Sequence, residues 1–264
     1  MKKLLLATLL LGALLHADSF TNSIGMTFVE IPSGSYMMGT KPPKCPKDDP
    51  FTSTNEYKDC MNNIVEEDEL PYHKVRIKSF YMATTEVTQL QWYRVMGNNP
   101  ANFKKEELGY DSRNNPVENV SWYDAKKFVE KLNKLEHTNK YRLSTEEEWE
   151  YAARAGSSGK WCFGDDESKL GQYAWYGDNS RNRTHPVAQK KPNRWGLYDM
   201  HGNVWEWVSS CHTKTYDSGC YEDYKVLRGG SWYSSAKVTR SASRSYDSPV
   251  ICYFNIGFRL VRTK

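Results

Sequence analysis

The densest chemistry in this chain lies in Asp199-Met200-His201-Gly202-Asn203-Val204-Trp205-Glu206-Trp207, with Arg228-Gly229-Gly230-Ser231-Trp232 following a short way on. The first segment puts two carboxylates, an amide and an imidazole around a glycine-containing turn. Carboxylate and amide oxygens are of the type that hard cations take. The second segment offers hydroxyls beside indoles. Ser231 and Ser234 have no identifiable base partner, and G-x-S-x-G is absent, so a nucleophilic triad is not indicated. His201 and His212 flank the turn, and a two-histidine, one-carboxylate iron site would need them to converge there. The other histidines after the first residues are His73, His137 and His185. C-x-x-C and a histidine pair at ligand spacing are both missing, which argues against zinc.

The elements that must hold these segments are partly readable. Capping boxes open three helices. Thr88 with Gln91 starts one that ends at Gly97, and Ser121 with Asp124 starts a second. Ser144 with Glu147 starts a third, which ends at Gly156. In the second, Trp122, Ala125, Phe128, Val129, Leu132 and Leu135 recur at helical spacing. In the third, Trp149, Ala152 and Ala153 give a packing side, and Glu146-Glu147-Glu148 suits the dipole of the first turn. Residues 24–39 read as a β-hairpin around Pro32-Ser33-Gly34, and 75–82 as a strand. Residues 41–70 are polar with little apolar period and read as a surface insertion. Residues 156–225 are rich in Gly, Asn, Asp, Trp and Tyr, a length of irregular backbone that is usually functional or ion-stabilised. Strands return near 224–227 and 256–261.

Composition narrows the class. Tryptophan and tyrosine are abundant (9 and 18), which fits a loop-rich fold with aromatic packing more than a helical bundle. Lys2 and Lys3, the apolar run 4–15 and Ala17 read as a signal peptide over 1–17, so export to the periplasm or outside the cell is expected. Without those two lysines, the 36 basic residues become 34 against 32 acidic ones. That balance argues against a nucleic-acid partner. Nothing after residue 17 is apolar enough to span a membrane. Six cysteines in an exported chain read as disulfides. The short-loop choice is Cys45–Cys60 and Cys211–Cys220, which leaves Cys162–Cys252, and other pairings stay open. With no repeat and no low-complexity linker, residues 18–264 read as one domain.

In order and spacing, several segments resemble the formylglycine-generating enzymes, or sulfatase-modifying factors. They are Gly25-Met26-Thr27-Phe28-Val29 with Met38-Gly39, Thr85-Glu86-Val87-Thr88, Asn115-Pro116-Val117-Glu118-Asn119-Val120-Ser121-Trp122, and Arg142-Leu143-Ser144-Thr145-Glu146-Glu147-Glu148-Trp149-Glu150. Asn193-Arg194-Trp195-Gly196-Leu197-Tyr198-Asp199, the two opening segments and Asn255-Ile256-Gly257-Phe258-Arg259 complete the set. The resemblance implies a single irregular α+β domain related to the C-type lectin fold. It also implies a structural calcium held by the side chains of Asp199 and Glu206 and the carbonyls of Gly202 and Val204. A second family calcium site falls near 173–178, where ligands do not align.

The family oxidises a substrate cysteine with copper held by two cysteines set five apart after Gly-Gly-Ser. Those positions are Ser234 and Thr239 here. A neutral hydroxyl is a poor ligand for Cu(I), so neither copper nor cysteine oxidation is expected. Trp205 and Ser231 match residues of the family's substrate groove, and Trp232 and Arg240 are nearby candidates. The sequence therefore points to an exported, calcium-stabilised accessory module that binds a protein, peptide or small molecule. The alternative is an oxidative or tailoring enzyme of the same family, with non-haem iron as its metal.

Overall fold

The computed structural model describes residues 18–42 and 66–264. The signal-peptide segment and the Cys45–Cys60 pair lie outside the described residues. Three sheets carry the fold. A five-stranded sheet runs β1-β2-β5-β11-β6, built from β1 (Ser19–Thr21), β2 (Thr27–Ile31), β5 (Phe80–Ala83), β11 (Leu260–Arg262) and β6 (Tyr141–Leu143). A four-stranded sheet runs β10-β7-β8-β9, from β10 (Ile256–Gly257), β7 (Trp205–Thr213), β8 (Cys220–Arg228) and β9 (Arg244–Asp247). Strands β3 (Gly34–Met38) and β4 (His73–Ile77) pair by themselves.

Alternation along the strands buries the five-stranded sheet on both faces. Phe28 and Leu260 face a core with Trp92, Phe128 and Phe258, while Ile31, Met82 and Val261 face a second core around Trp149. The first core is roofed by α1 (Gln89–Met96) and α3 (Trp122–Leu135), the second by α4 (Glu146–Arg154). A single turn, α2 (Lys105–Leu108), lies between α1 and α3.

Two of the three expected helix starts hold as read. Thr88 and Ser121 are the N-caps of α1 and α3, each with a reciprocal capping box, and Gly97 ends α1 in the left-handed region. The third is displaced by one residue. Thr145, not Ser144, caps α4 and is bonded by the Glu148 amide, and Ala155 takes the left-handed end before Gly156. Leu135, expected on the packing face of α3, is exposed at its last position.

The expected hairpin over 24–39 does not form. β2 pairs with β1 and β5, whereas β3 crosses to β4 in another sheet. The expected strand over 75–82 is likewise split between β4 and β5. In both places one apolar run is shared by two sheets, which local spacing does not reveal. The end of the expected surface insertion is not on the surface. Glu69 is buried and grips Arg240 through both carboxylate oxygens, at 2.6 and 2.9 Å.

Cys211 and Cys220 form a disulfide across β7 and β8. The expected Cys162–Cys252 bond is absent. Cys162 is buried, Cys252 is exposed, and both are free thiols. Counting cysteines could not show that the fold places one inside and one outside.

Candidate functional site

The segment from Asp199 to Trp207 enters β7 through two left-handed residues, Asp199 (φ 59) and Asn203 (φ 64). Asparagine and aspartate tolerate that region better than other side chains. Gly202 is required by space, since a Cβ there would lie 2.1 Å from the Trp175 carbonyl oxygen. Asn203 is the hinge of the assembly. Its side chain bonds the backbone of His185 in both directions, at 3.0 and 3.2 Å, and its carbonyl accepts from the Trp232 amide at 2.8 Å. The turn is thereby fixed to the Gly229-Gly230-Ser231 loop.

The carboxylates of this region divide into paired and unpaired groups. Glu206 is fully engaged. Arg259 donates to both of its oxygens at 2.7 Å, and the Trp149 indole donates to Oε2 at 2.7 Å. Asp199 accepts the Ala188 amide on Oδ2 at 2.7 Å, but its buried Oδ1 has no donor. Glu86 is completely buried, and among the described residues neither of its oxygens has a donor. Burial pushes Asp199 up to about 6. Burial, and then the neighbouring charge of Asp199, pushes Glu86 well above the carboxylate range. Gly202 and Val204 are buried. Among the described residues, their carbonyls accept no hydrogen bond from a loop amide or a side chain. Carboxylate and carbonyl oxygens without a donor are of the type that a hard cation takes.

His201 is held as a neutral imidazole. Its Nδ1–H donates to the Thr239 carbonyl at 2.9 Å and its Nε2 accepts the Cys162 amide at 3.2 Å. Burial lowers it to about 4. His212 stacks on Tyr246 in the β7–β9 sheet, with ring centres 3.7 Å apart. The two histidines are committed to different neighbours, so the suggested two-histidine site does not assemble. Among the described residues, no three His, Cys, Asp or Glu side chains gather closely enough to hold a metal ion.

At the groove positions, Ser231, Thr239 and Ser234 are buried. The Ser234 hydroxyl accepts the Ser231 amide at 2.9 Å and lies 3.3 Å from the Ser231 hydroxyl. Thr239 Oγ1 accepts from the Trp161 indole at 3.1 Å and donates to the Ala236 carbonyl at 2.9 Å. Among the described residues, neither hydroxyl meets a histidine or carboxylate that could activate a nucleophile. Trp232 is buried, stacked on Phe254 and met edge-on by Phe103. Above this cluster Tyr233 is 71% exposed and Phe254 47%. Trp205 is half-buried. Arg240 is not a free groove residue, because Glu69 holds it beside a cavity of about 350 Å³ also lined by Thr40, Lys41, Tyr72, Arg154 and Lys160.

Sequence reasoning passed over Glu86, Trp149, Trp161 and Arg259 as site residues, although Glu86, Trp149 and Arg259 stand in the motifs. Their roles depend on contacts between segments far apart in the chain.

The geometry is that of an irregular α+β domain in which Arg259 braces the turn before β7 through Glu206 and the Tyr198 carbonyl, beside the buried hydroxyls of Ser231, Ser234 and Thr239. Residues 17–264 match the model of the Sulfatase-modifying factor enzyme 1-like domain, and the chain belongs to that family. It is 32% identical to the "Chaperone protein LppX" of Paenibacillus barcinonensis, over 72% of this chain and 82% of that protein. It is 35% identical to the "Formylglycine-generating enzyme" of Streptomyces coelicolor over 55% of this chain and 52% of the enzyme. With the "Inactive C-alpha-formylglycine-generating enzyme 2" of Bos taurus it shares 36% over 54% and 49%. The chain thus spans about half the length of those two relatives. Among solved structures it is similar to Treponema denticola variable protein 1, with a TM-score of 0.76 and 30% identity over 94% of this chain and 99% of that one. PvdO from Pseudomonas aeruginosa gives 0.74 and 28% over 94% and 98%.

Proposed function

We propose that this protein is an exported, calcium-stabilised binding or accessory module without cysteine-to-formylglycine oxidase activity. The observation that carries the reading is the state of Ser234 and Thr239. Two hydroxyls, each bonded within its own loop or to an indole, stand where the family's copper thiolates are expected, and soft Cu(I) has no thiolate to take there. Relatives named as a chaperone protein and as an inactive formylglycine-generating enzyme support it.

Calcium would sit at the Asp199 turn, with the Asp199 and Glu206 side chains and the Gly202 and Val204 carbonyls as donors, Glu206 also holding Arg259. The ligand or partner, an exported protein, a peptide or a small molecule, would meet the aromatic face of Trp205, Trp232, Tyr233 and Phe254. Tyr233 and Phe254 are exposed there over the buried Trp232, and exposed aromatic rings suit recognition by contact. Export rests on the pattern of residues 1–17.

A second reading, an oxidative or tailoring enzyme, is favoured by the relative named as a formylglycine-generating enzyme. A peptide assay tests the module reading. Purified protein supplied with Cu(I) and a cysteine-containing sulfatase peptide is expected to form no aldehyde by mass spectrometry. Turnover would overturn the module reading.

A further inference from the structure

The chain leaving β3 walls the cavity of about 350 Å³ beside Arg240, which Gly39, Thr40 and Arg154 also line. Both arginines are buried, Arg154 6% and Arg240 5% exposed. Adjacent residues fix them in place. Arg154 donates to the Gly39 carbonyl at 2.9 Å, and Arg240 to the Thr40 hydroxyl at 3.3 Å. Among the described residues, Arg240 makes four hydrogen bonds, to Lys237, Thr40 and the two oxygens of Glu69. Arg154 makes three, to Glu150, Gly159 and Gly39. A guanidinium has five N–H groups, so each keeps at least one for a ligand.

Positive charge is in excess here. Glu69 matches Arg240, but Arg154 shares Glu150 with Arg228, and Arg228 shares Glu146 with Arg244. Three buried guanidinium groups thus meet two buried carboxylates. Lys41 and Lys160 stand exposed on the rim. Asp165 is the lone acid in the lining, and its Oδ1 already accepts the Lys160 amide at 2.7 Å. Guanidinium and ammonium groups gathered on one cavity favour an oxyanion, the more so the higher its charge.

A further cavity, of about 280 Å³, adjoins the first through Tyr72, Arg154 and Ser158 and continues past Tyr36, Tyr151 and Trp195. The ring centres of Tyr36 and Tyr151 lie 5.3 Å apart, and those of Tyr151 and Trp195 4.8 Å. Rings so packed offer faces and edges to another ring. The cationic end and the aromatic end meet at Arg154 and Tyr72.

We infer that the two cavities form one binding site for a phosphate monoester of a small ring compound. Its phosphate lies among Arg154, Arg240, Lys41 and Lys160, and its ring against Tyr72 and Trp195. The site shares no residue with the aromatic face of Trp205, Trp232, Tyr233 and Phe254, and it does not depend on calcium.

Calorimetry on the full mature chain with phenyl phosphate tests the site. Inorganic phosphate lacks the ring, phenol lacks the charge, and benzoate lacks the second charge. Phenyl phosphate is expected to bind about tenfold or more tightly than each of the three, and more weakly as salt is raised. The double variant Lys41→Glu, Lys160→Glu should bind it about tenfold or more weakly. Without ligand that variant should melt within about 2 °C of wild type, since both side chains are exposed. The same charge change on α3, Lys127→Glu with Lys131→Glu, should leave binding at wild-type strength. Failure of wild type to bind phenyl phosphate would overturn the inference, as would full affinity in the rim variant or an equal loss in the α3 variant. Benzoate or inorganic phosphate binding as tightly as phenyl phosphate would overturn the ligand class.

Discussion

Glu118 is a buried carboxylate whose two oxygens accept the amides of Asn102 and Phe103, at 3.0 and 2.8 Å. It thereby seats Phe103 against Trp232 in the aromatic face. Burial raises it from 4.5 to about 7. The folded state then holds a proton that the unfolded chain gives up. The stability this contributes is fully present below about 4.5 and is lost as pH rises through about 7, a span worth about 3 kcal/mol. The gap in melting temperature between wild type and Glu118→Gln should therefore shift against wild type from pH 5 to pH 8. A gap that stays constant over that range would contradict the titration. Glu118 was visible in the Asn115-Pro116-Val117-Glu118 motif, but its partners lie on a different loop, so sequence could mark the residue and not its task. The same holds for Ser234 and Thr239. Their identities were legible, whereas their bonds to Ser231 and Trp161 belong to the fold.

At the scale of elements, α4 illustrates what local pattern can and cannot supply. The run Glu146-Glu147-Glu148 was expected to serve the helix dipole, and Glu148 does close the capping box. Glu146 does more. It is buried and takes both Arg244 and Arg228, at 2.7 and 3.3 Å, while Glu150 one turn on takes Arg228 at 2.5 Å and Arg154 at 2.7 Å. Arg228 also donates to the carbonyls of Ser241 and Ala242. This network ties α4 to β8 and β9 and to the loop beyond the groove. Removing one member leaves the others charged and buried. Arg228→Ala should cost about 3–5 kcal/mol in chemical denaturation. A loss under about 1 kcal/mol, the range of exposed pairs, would show that the network is not what holds these elements together. Helix starts were readable because caps are local. The partition of strands among three sheets was not, since β2 and β3 are adjacent in sequence and separate in pairing.

At the scale of the molecule, cysteine usage and metal content report on the whole fold. The Cys211–Cys220 disulfide ties the two long strands of the four-stranded sheet, whereas Cys162 and Cys252 stay apart. Burial pushes the Cys162 thiol up to about 12, which leaves it unreactive. A small maleimide should label the native protein at Cys252 and not at Cys162. Cys252→Ser should remove that label and Cys162→Ser should leave it. Labelling that survives Cys252→Ser and is lost in Cys162→Ser would refute the placement. The central claim, that the family's calcium-type turn is kept and its copper chemistry is gone, is tested most directly by elemental analysis of the purified mature protein. It predicts calcium at about one per chain, removable by chelator with a fall in melting temperature, and no stoichiometric copper or iron. Stoichiometric copper or iron, or no calcium and no response to chelator, would contradict it.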